Sequence, residues 1–333
     1  METKGQIDLF KFLAAILVVV IHTRPFAAFA DVDYYVTCFC RIAVPFFFMA
    51  SSFFFFSKEK PNIWRYTKRL LVLYFVWFLL ESPIIYHRFF VAYEKPLLIQ
   101  IINLFRCLLL SNTWLASWYI MASILSVNIV YWLSRKISNY YLLIIGVLGY
   151  IVSLICSSYN GAFDILLNER LRYYHAVFSF IFMPANSFIV AILYIVLGKI
   201  IAERVRENRP IHNKPRLIAL LCLAGLLWGT EAYLIRWSVL YSDAFIFLPI
   251  FALIGFIILL QTDIKISSNV SRFLRSMSIL VYILHPVLAF INTHVLNIDF
   301  GIILFIVTLC ESLILAFVIV AMSSRVPILK KLY

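Results

Sequence analysis

Apolar stretches follow one another from end to end of this chain, each near the roughly 20 helical residues needed to cross a hydrocarbon core of about 30 Å. Charge clusters, Pro and Asn/Ser separate them into ten candidate spans, at 7–29, 34–56, 68–86, 114–134, 139–158, 174–202, 216–235, 244–262, 270–292 and 300–322. Of the 333 residues 64% are hydrophobic and 14% charged, where a soluble domain carries about 25% charged residues. A soluble core has no place for that much apolar surface. The expected fold is therefore all-α and polytopic, a single transmembrane domain over residues 1–333 in a multi-pass membrane protein. The run 97–110 is apolar but short for a crossing and reads as an interfacial or re-entrant helix. The first run, 7–21, is followed by further spans and lacks a small-residue cleavage site, so it is expected to stay as the first span. Only 323–333 follow the last apolar run, and no soluble appendage is expected.

The formal charge is +13, from 29 Lys+Arg against 16 Asp+Glu. These basic residues lie in short runs between apolar stretches rather than on one amphipathic face, which argues against a nucleic-acid partner and for the bilayer itself. With both termini cytoplasmic, 21 fall on the inner side and eight on the outer, the inner groups being 58–69, 135–136, 199–216, 265–275 and 325–331. The positive-inside rule sets that orientation, as expected of a bacterial cytoplasmic membrane protein. Six cysteines (Cys38, Cys40, Cys107, Cys156, Cys222, Cys310) lie mostly within apolar segments with no CxxC, so neither a disulfide framework nor a metal site is expected. HExxH, Walker, GxSxG and GxGxxG motifs are absent, which removes the usual support for zinc proteolysis, ATP-driven transport and dinucleotide redox chemistry.

Ionisable groups at bilayer depth cost several kcal/mol unless paired or hydrated, so each is a candidate for function. Lys11 and His22 share the first span, 11 residues apart, hence about three turns and one face, with roughly 16 Å between their levels. Snorkelling of Lys11 and an interfacial role for His22 is the alternative reading. Arg41 lies about two turns inside the second span and Arg24 follows His22; either holds an anionic or hydroxylated ligand or pairs with Asp31 or Asp33, pairing fitting Arg24 better. Glu81, Glu231 and Glu311 are the intramembrane carboxylates, Glu311 the deepest. His285 precedes Pro286, which frees a backbone carbonyl within the ninth span; a helix lining a cavity and simple kinked packing account for it equally. The aromatic runs at 46–48 and 53–56 read as lipid-facing or packing surface.

Three segments in order, Ile7-Asp8 with Lys11 and His22, Arg41-Ile-Ala-Val-Pro45-Phe-Phe-Phe-Met-Ala-Ser51, and Ser278-Ile-Leu-Val-Tyr282-Ile-Leu-His285-Pro286, resemble the signature segments of the acyltransferase 3 family. The branch containing the membrane domain of VanT-type serine racemases is the most similar, supported by Glu231-Ala-Tyr-Leu, Ser242-Asp243 and Phe247-Leu248-Pro249. The resemblance implies an enzyme with no tightly bound cofactor that takes an acyl group, usually acetyl, from cytoplasmic acyl-CoA. It delivers that group to a hydroxyl of an extracytoplasmic glycan or envelope component. The family's basic residue and catalytic histidine map onto Lys11 and His22. Three positions depart from the family pattern: Lys11 where Arg is usual, Ser52 in place of the Gly that follows Ser51, and Leu73 where Pro usually follows the third-span basic motif.

Chemistry adds roles to this frame. Arg65, Lys68 and Arg69 suit the phosphates of CoA, or serve only as positive-inside anchors. An imidazole titrates near neutrality and suits His22 for proton abstraction from an acceptor hydroxyl. Arg41 and Ser51 are candidates for steadying an oxyanion or orienting the acceptor, with Glu311 and His285 as further substrate-binding candidates. The rival from another class is an amino-acid transporter of L-serine type, in which His22, Arg41 and Glu311 bind the amino acid or couple protons. A catalytically lapsed membrane scaffold is the third reading, against which the retained Lys11 and His22 argue.

Overall fold

The computed structural model describes residues 4–92, 95–110, 117–207, 213–236 and 243–333, and among them there are fifteen α-helices and no strand. Helix α1 (Gly5–Thr23) stops short of the expected 29, because Arg24 turns left-handed at φ 48° and Pro25 cannot carry the ladder onward. The expected second span divides into α2 (Ala30–Cys40) and α3 (Ala43–Phe56). Pro45 is the reason: it brings no N–H, and its ring would meet the Arg41 carbonyl four residues back. Arg41 thus sits at a helix break.

Helix α4 (Ile63–Leu80) is capped by Asn62, whose Oδ1 accepts from the Arg65 N–H at 2.8 Å. It bends by 71° at Glu81 into the segment Ser82–Val91, made of α5 (Ser82–Tyr86) and a π turn, with Pro83 at the bend. Helix α6 (Leu97–Leu110) is the short apolar helix expected there; at 14 residues it spans only about 21 Å. Helices α7 (Ser117–Leu133) and α8 (Asn139–Ile155) match expected spans, although 114–116 lie outside the described residues. A short α9 (Asn160–Leu166) leads to α10 (Glu169–Phe182) and α11 (Phe188–Arg206). The expected sixth span, 174–202, is broken between these two at Met183, left-handed at φ 40°, and Pro184. The rest are α12 (Lys214–Ile235), α13 (Leu248–Leu260), α14 (Ser268–His294) and α15 (Ile302–Met322), followed by the 3-10 segment Pro327–Leu332.

Among the described residues six helical stretches are long and apolar enough to cross a membrane, seven if the bent α4–α5 pair is one span, and α6, α7, α8 and α13 are shorter apolar helices. The outer helices carry their apolar side chains outward: Ile303, Ile306, Ile314 and Phe317 of α15 are exposed, as are Leu223, Leu226 and Leu234 of α12. Such a surface is stable only against lipid.

Two apolar cores hold the bundle. In one, α11 packs on α3, α7 and α8, and Phe46, Phe48, Phe53, Phe55 and Phe56 are buried in it, so the aromatic runs are internal packing rather than lipid surface. In the other, α1 packs on α14, with α3, α4, α7 and α15 around them. Helix α11 approaches α3 closely at Gly198, where an added Cβ would lie 2.5 Å from the Met49 carbonyl oxygen and 2.9 Å from the Ser52 Cβ. Ser52 itself is fully buried there and donates to the Ile195 carbonyl at 2.5 Å.

Candidate active site

The first and last signature segments meet on the α1–α14 interface. His22 and His285 face one another with ring centroids 5.2 Å apart and planes inclined by 31°. His285 is completely buried, with the Tyr282 ring 6.0 Å away. Its Nδ1 lies 3.1 Å from the Val281 carbonyl and also against that of Tyr282, the carbonyl that Pro286 leaves without a donor. A carbonyl only accepts, so Nδ1 carries the proton in this contact. Its Nε2 is buried and has no hydrogen-bond partner among the described residues.

Beyond the histidines stands a second charged group. Arg41, at the α2–α3 break, pairs with Asp243 at 2.7 Å, and these are the charges that act on His22. Asp243 begins the segment 243–247, which Glu231 of α12 holds by accepting from the Ile246 N–H at 2.6 Å, the Phe247 N–H at 3.1 Å and the Tyr159 hydroxyl at 2.7 Å. Burial first, and the Glu231 carboxylate second, raise the Tyr159 hydroxyl above the usual phenol range, so it remains a donor. Ser242, next to Asp243 in sequence, lies outside the described residues. Arg24 pairs with Asp33 at 2.7 Å, the structural alternative expected for it.

On the other side of the histidines, α1, α3, α4, α7 and α14 enclose a cavity of about 410 Å³. Its inner end is walled by Tyr119, Tyr282 and Ile283, and its other end by Lys11, Lys58, Arg69 and Arg275. Ser51 lines it and shares a hydrogen bond with the Tyr119 hydroxyl at 3.1 Å. Asp8, fully buried one turn before Lys11, organises the basic end. It accepts from Ser271 at 2.6 Å and from Arg275 at 2.6 and 3.1 Å, with Lys11 Nζ at 4.0 Å. Lys11 also stands 4.7 Å over the Phe54 ring.

The structure therefore brings Lys11, Ser51 and Arg69 together around the cavity and His22 and His285 together beyond it, with Tyr282, which lines the cavity and lies 6.0 Å from the His285 ring, linking the two groups; other residues are set apart. Glu311 accepts from Asn292 at 2.8 Å within the α14–α15 contact, and Asn292 lies seven residues beyond His285, about 10 Å along the helix. Arg65 and Lys68 do not line the main cavity; they line a neighbouring cleft of about 320 Å³ with Arg69, Lys330 and Lys331. The family's Gly position, occupied by Ser52, faces α11 and not the cavity, so this departure changes a helix contact rather than the approach to a ligand. Sequence reasoning left Asp8, Asp243, Arg275, Tyr119 and Tyr282 without roles. The i, i+3 spacing of Asp8 and Lys11 was the one local signal; Arg275 and Asp243 come from remote segments and carried none.

No solved structure matches this chain. Among curated proteins it is 30% identical over 230 residues to an amino-acid racemase of Enterococcus faecalis, covering 67% of this chain and 31% of that protein. A second amino-acid racemase of Enterococcus faecalis is 29% identical over 294 residues (84% and 40%), and a serine/alanine racemase of Enterococcus gallinarum is 27% identical over 313 (89% and 42%). The chain spans less than half the length of these relatives. The model of the acyltransferase 3 family, described as an acyltransferase domain, matches residues 4–321, and with nearly the whole described bundle inside that match the chain belongs to this family.

Proposed function

We propose that this protein is a membrane-bound O-acyltransferase that moves an acyl group, acetyl in the simplest case, from cytoplasmic acyl-CoA to a hydroxyl of an extracytoplasmic glycan or envelope component. The observation that supports this reading is a cation-rimmed cavity with two tyrosines at its inner end, one of which, Tyr282, lies 6.0 Å from the ring of His285 in the histidine pair. Lys11, Arg69 and Arg275 hold the charged part of the donor at the rim while the thioester arm occupies the apolar middle. The acceptor approaches from the side of Arg41. His22 takes the proton of its hydroxyl, the oxygen attacks the thioester carbonyl, and the tetrahedral intermediate collapses with cleavage of the C–S bond. The proton passes to the departing thiolate, so an ester and free CoA result. His285, whose ring lies 5.2 Å from that of His22, packs against it and holds its orientation. The test is purified protein in liposomes with labelled acetyl-CoA and an envelope acceptor. Acceptor-dependent CoA release that His22→Ala abolishes supports the reading, and CoA release untouched by His22→Ala overturns it.

A second reading, amino-acid transport of L-serine type, draws on the Arg41–Asp243 pair. A zwitterion matches such a pair with its carboxylate on Arg41 and its ammonium on Asp243, and the relatives named above are amino-acid racemases. Labelled L-serine uptake into the same liposomes separates the two readings: uptake without CoA release selects transport.

A further inference from the structure

Three rings from three helices close the inner end of the main cavity: Phe47 of α3, Tyr119 of α7 and Tyr282 of α14. Their centroids lie 5.8 Å apart for Phe47 and Tyr119, 5.8 Å for Phe47 and Tyr282, and 5.5 Å for Tyr119 and Tyr282, with planes inclined by 57°, 66° and 68°. At such separations each ring touches the other two, edge against face. Their neighbours restrain them. The Tyr119 hydroxyl shares a hydrogen bond with Ser51 at 3.1 Å, Phe48 packs on the Tyr119 ring at 4.7 Å, and Phe47 and Tyr282 are buried in the α1–α14 core. Behind this wall stands the histidine pair, with the His285 ring 6.0 Å from that of Tyr282. Neither histidine lines the cavity. Lys11 of α1 does, while His22 lies 11 residues further along the same helix, so the rings stand between the cation rim and the imidazoles.

Resting on the acyl-CoA reading, we infer that Phe47, Tyr119 and Tyr282 form the filter that restricts the donor to an acetyl-sized acyl group. The thioester arm fills the apolar middle of the cavity, and its carbonyl has to reach the acceptor hydroxyl beside His22. The acyl tail leads on from that carbonyl, away from the cation rim, so it meets the rings first. A methyl group asks for a small rotation of one ring. Each further methylene has to displace rings that close packing holds on three separate helices. Selection is then by exclusion, and one methylene too many in a packed apolar site costs about 10–200-fold. Phe47 carries the sharpest test because its ring has no polar group, so that replacing it changes the space and no hydrogen bond.

The full chain in phosphatidylcholine nanodiscs is titrated with acetyl-CoA and with hexanoyl-CoA, as wild type and as Phe47→Ala. The wild type is expected to bind acetyl-CoA about tenfold or more tighter, the reverse of the order that apolar burial alone would give. Phe47→Ala takes one ring out of the wall and should bind hexanoyl-CoA at least as tightly as acetyl-CoA. Phe47→Leu, a milder opening, repeats the comparison if Phe47→Ala does not fold. Tyr119→Phe keeps its ring and loses the hydroxyl that meets Ser51, and it should keep the wild-type preference. A wild type that binds hexanoyl-CoA as tightly as acetyl-CoA, or a Phe47 variant that retains the acetyl preference, overturns the inference and leaves the acyl-CoA reading standing. So does loss of the preference in Tyr119→Phe, which assigns the discrimination to a hydroxyl rather than to ring size. A wild type that binds neither thioester removes the acyl-CoA reading itself.

Discussion

At the scale of single residues the histidine pair carries the most weight. His22→Ala should lower acceptor-dependent CoA release by about 10²–10⁴ with the amount of folded protein unchanged, since it removes one partly buried ring at a helix end. In sequence His285 reads as a neighbour of a kink, and its replacement as a packing defect. Its buried, unpartnered Nε2 beside His22 adds a second expectation: His285→Ala should reduce the rate per folded molecule as well as the yield, and kinetics normalised to a size-exclusion peak read both. A wild-type rate per folded molecule would leave His285 with packing alone. The Arg41–Asp243 pair makes a separate prediction. Asp243→Asn should destabilise the protein in detergent by about 1.5–3 kcal/mol by leaving the guanidinium without its partner. Adding Arg41→Gln should recover part of that loss, and thermal unfolding of the two variants side by side is the measurement.

At the scale of elements, breaks matter as much as helices. Continuous apolar runs located the helices because hydropathy sums over many residues, and they misplaced the helix ends where apolar residues continue through a Pro. Residues 25–29 extended the first span on paper, while Pro25 and left-handed Arg24 end it in the structure. The same cause divides α2 from α3 at Pro45 and α10 from α11 at Pro184. Proline signals were present in the sequence, but a window average dilutes one residue among twenty. The contact between α3 and α11 was not visible at all, because it depends on which Gly meets which backbone. Gly198→Ala should cost about 1–3 kcal/mol or reduce the folded yield, as its Cβ would press on the Met49 carbonyl. Ser52→Gly should fail to rescue it, because the nearest atom belongs to backbone; rescue by Ser52→Gly, followed by chemical unfolding, would refute this account.

For the whole molecule, the sequence disclosed the membrane class and the α1 pairing of Lys11 with His22, both properties of local pattern. It did not disclose the cation rim, for which Asp8 must meet Arg275 across 267 residues of chain. The orientation expected from the distribution of basic residues is tested by single cysteines in a cysteine-free background. Positions Lys60 and Asn269 should be shielded from impermeant reagents in intact cells, and Asp33 and Tyr159 should react. Asn208 should be shielded too, although it lies outside the described residues. Labelling of Lys60 from outside would reverse the membrane orientation and with it the side on which the donor binds.

Because the histidines stand on α1 and α14, their pairing has a timetable. At about 5–20 residues per second a ribosome needs roughly 13–53 s to pass from Asp8 to Ser271, residues 263 apart. Throughout that interval the nascent first helix carries a buried-site carboxylate that has Lys11 one turn away but not yet Arg275. No growing polypeptide shorter than 285 residues contains both imidazoles. On the acyl-transfer reading proposed above, fragments released before α14 should be inert even though most of the bundle is already present.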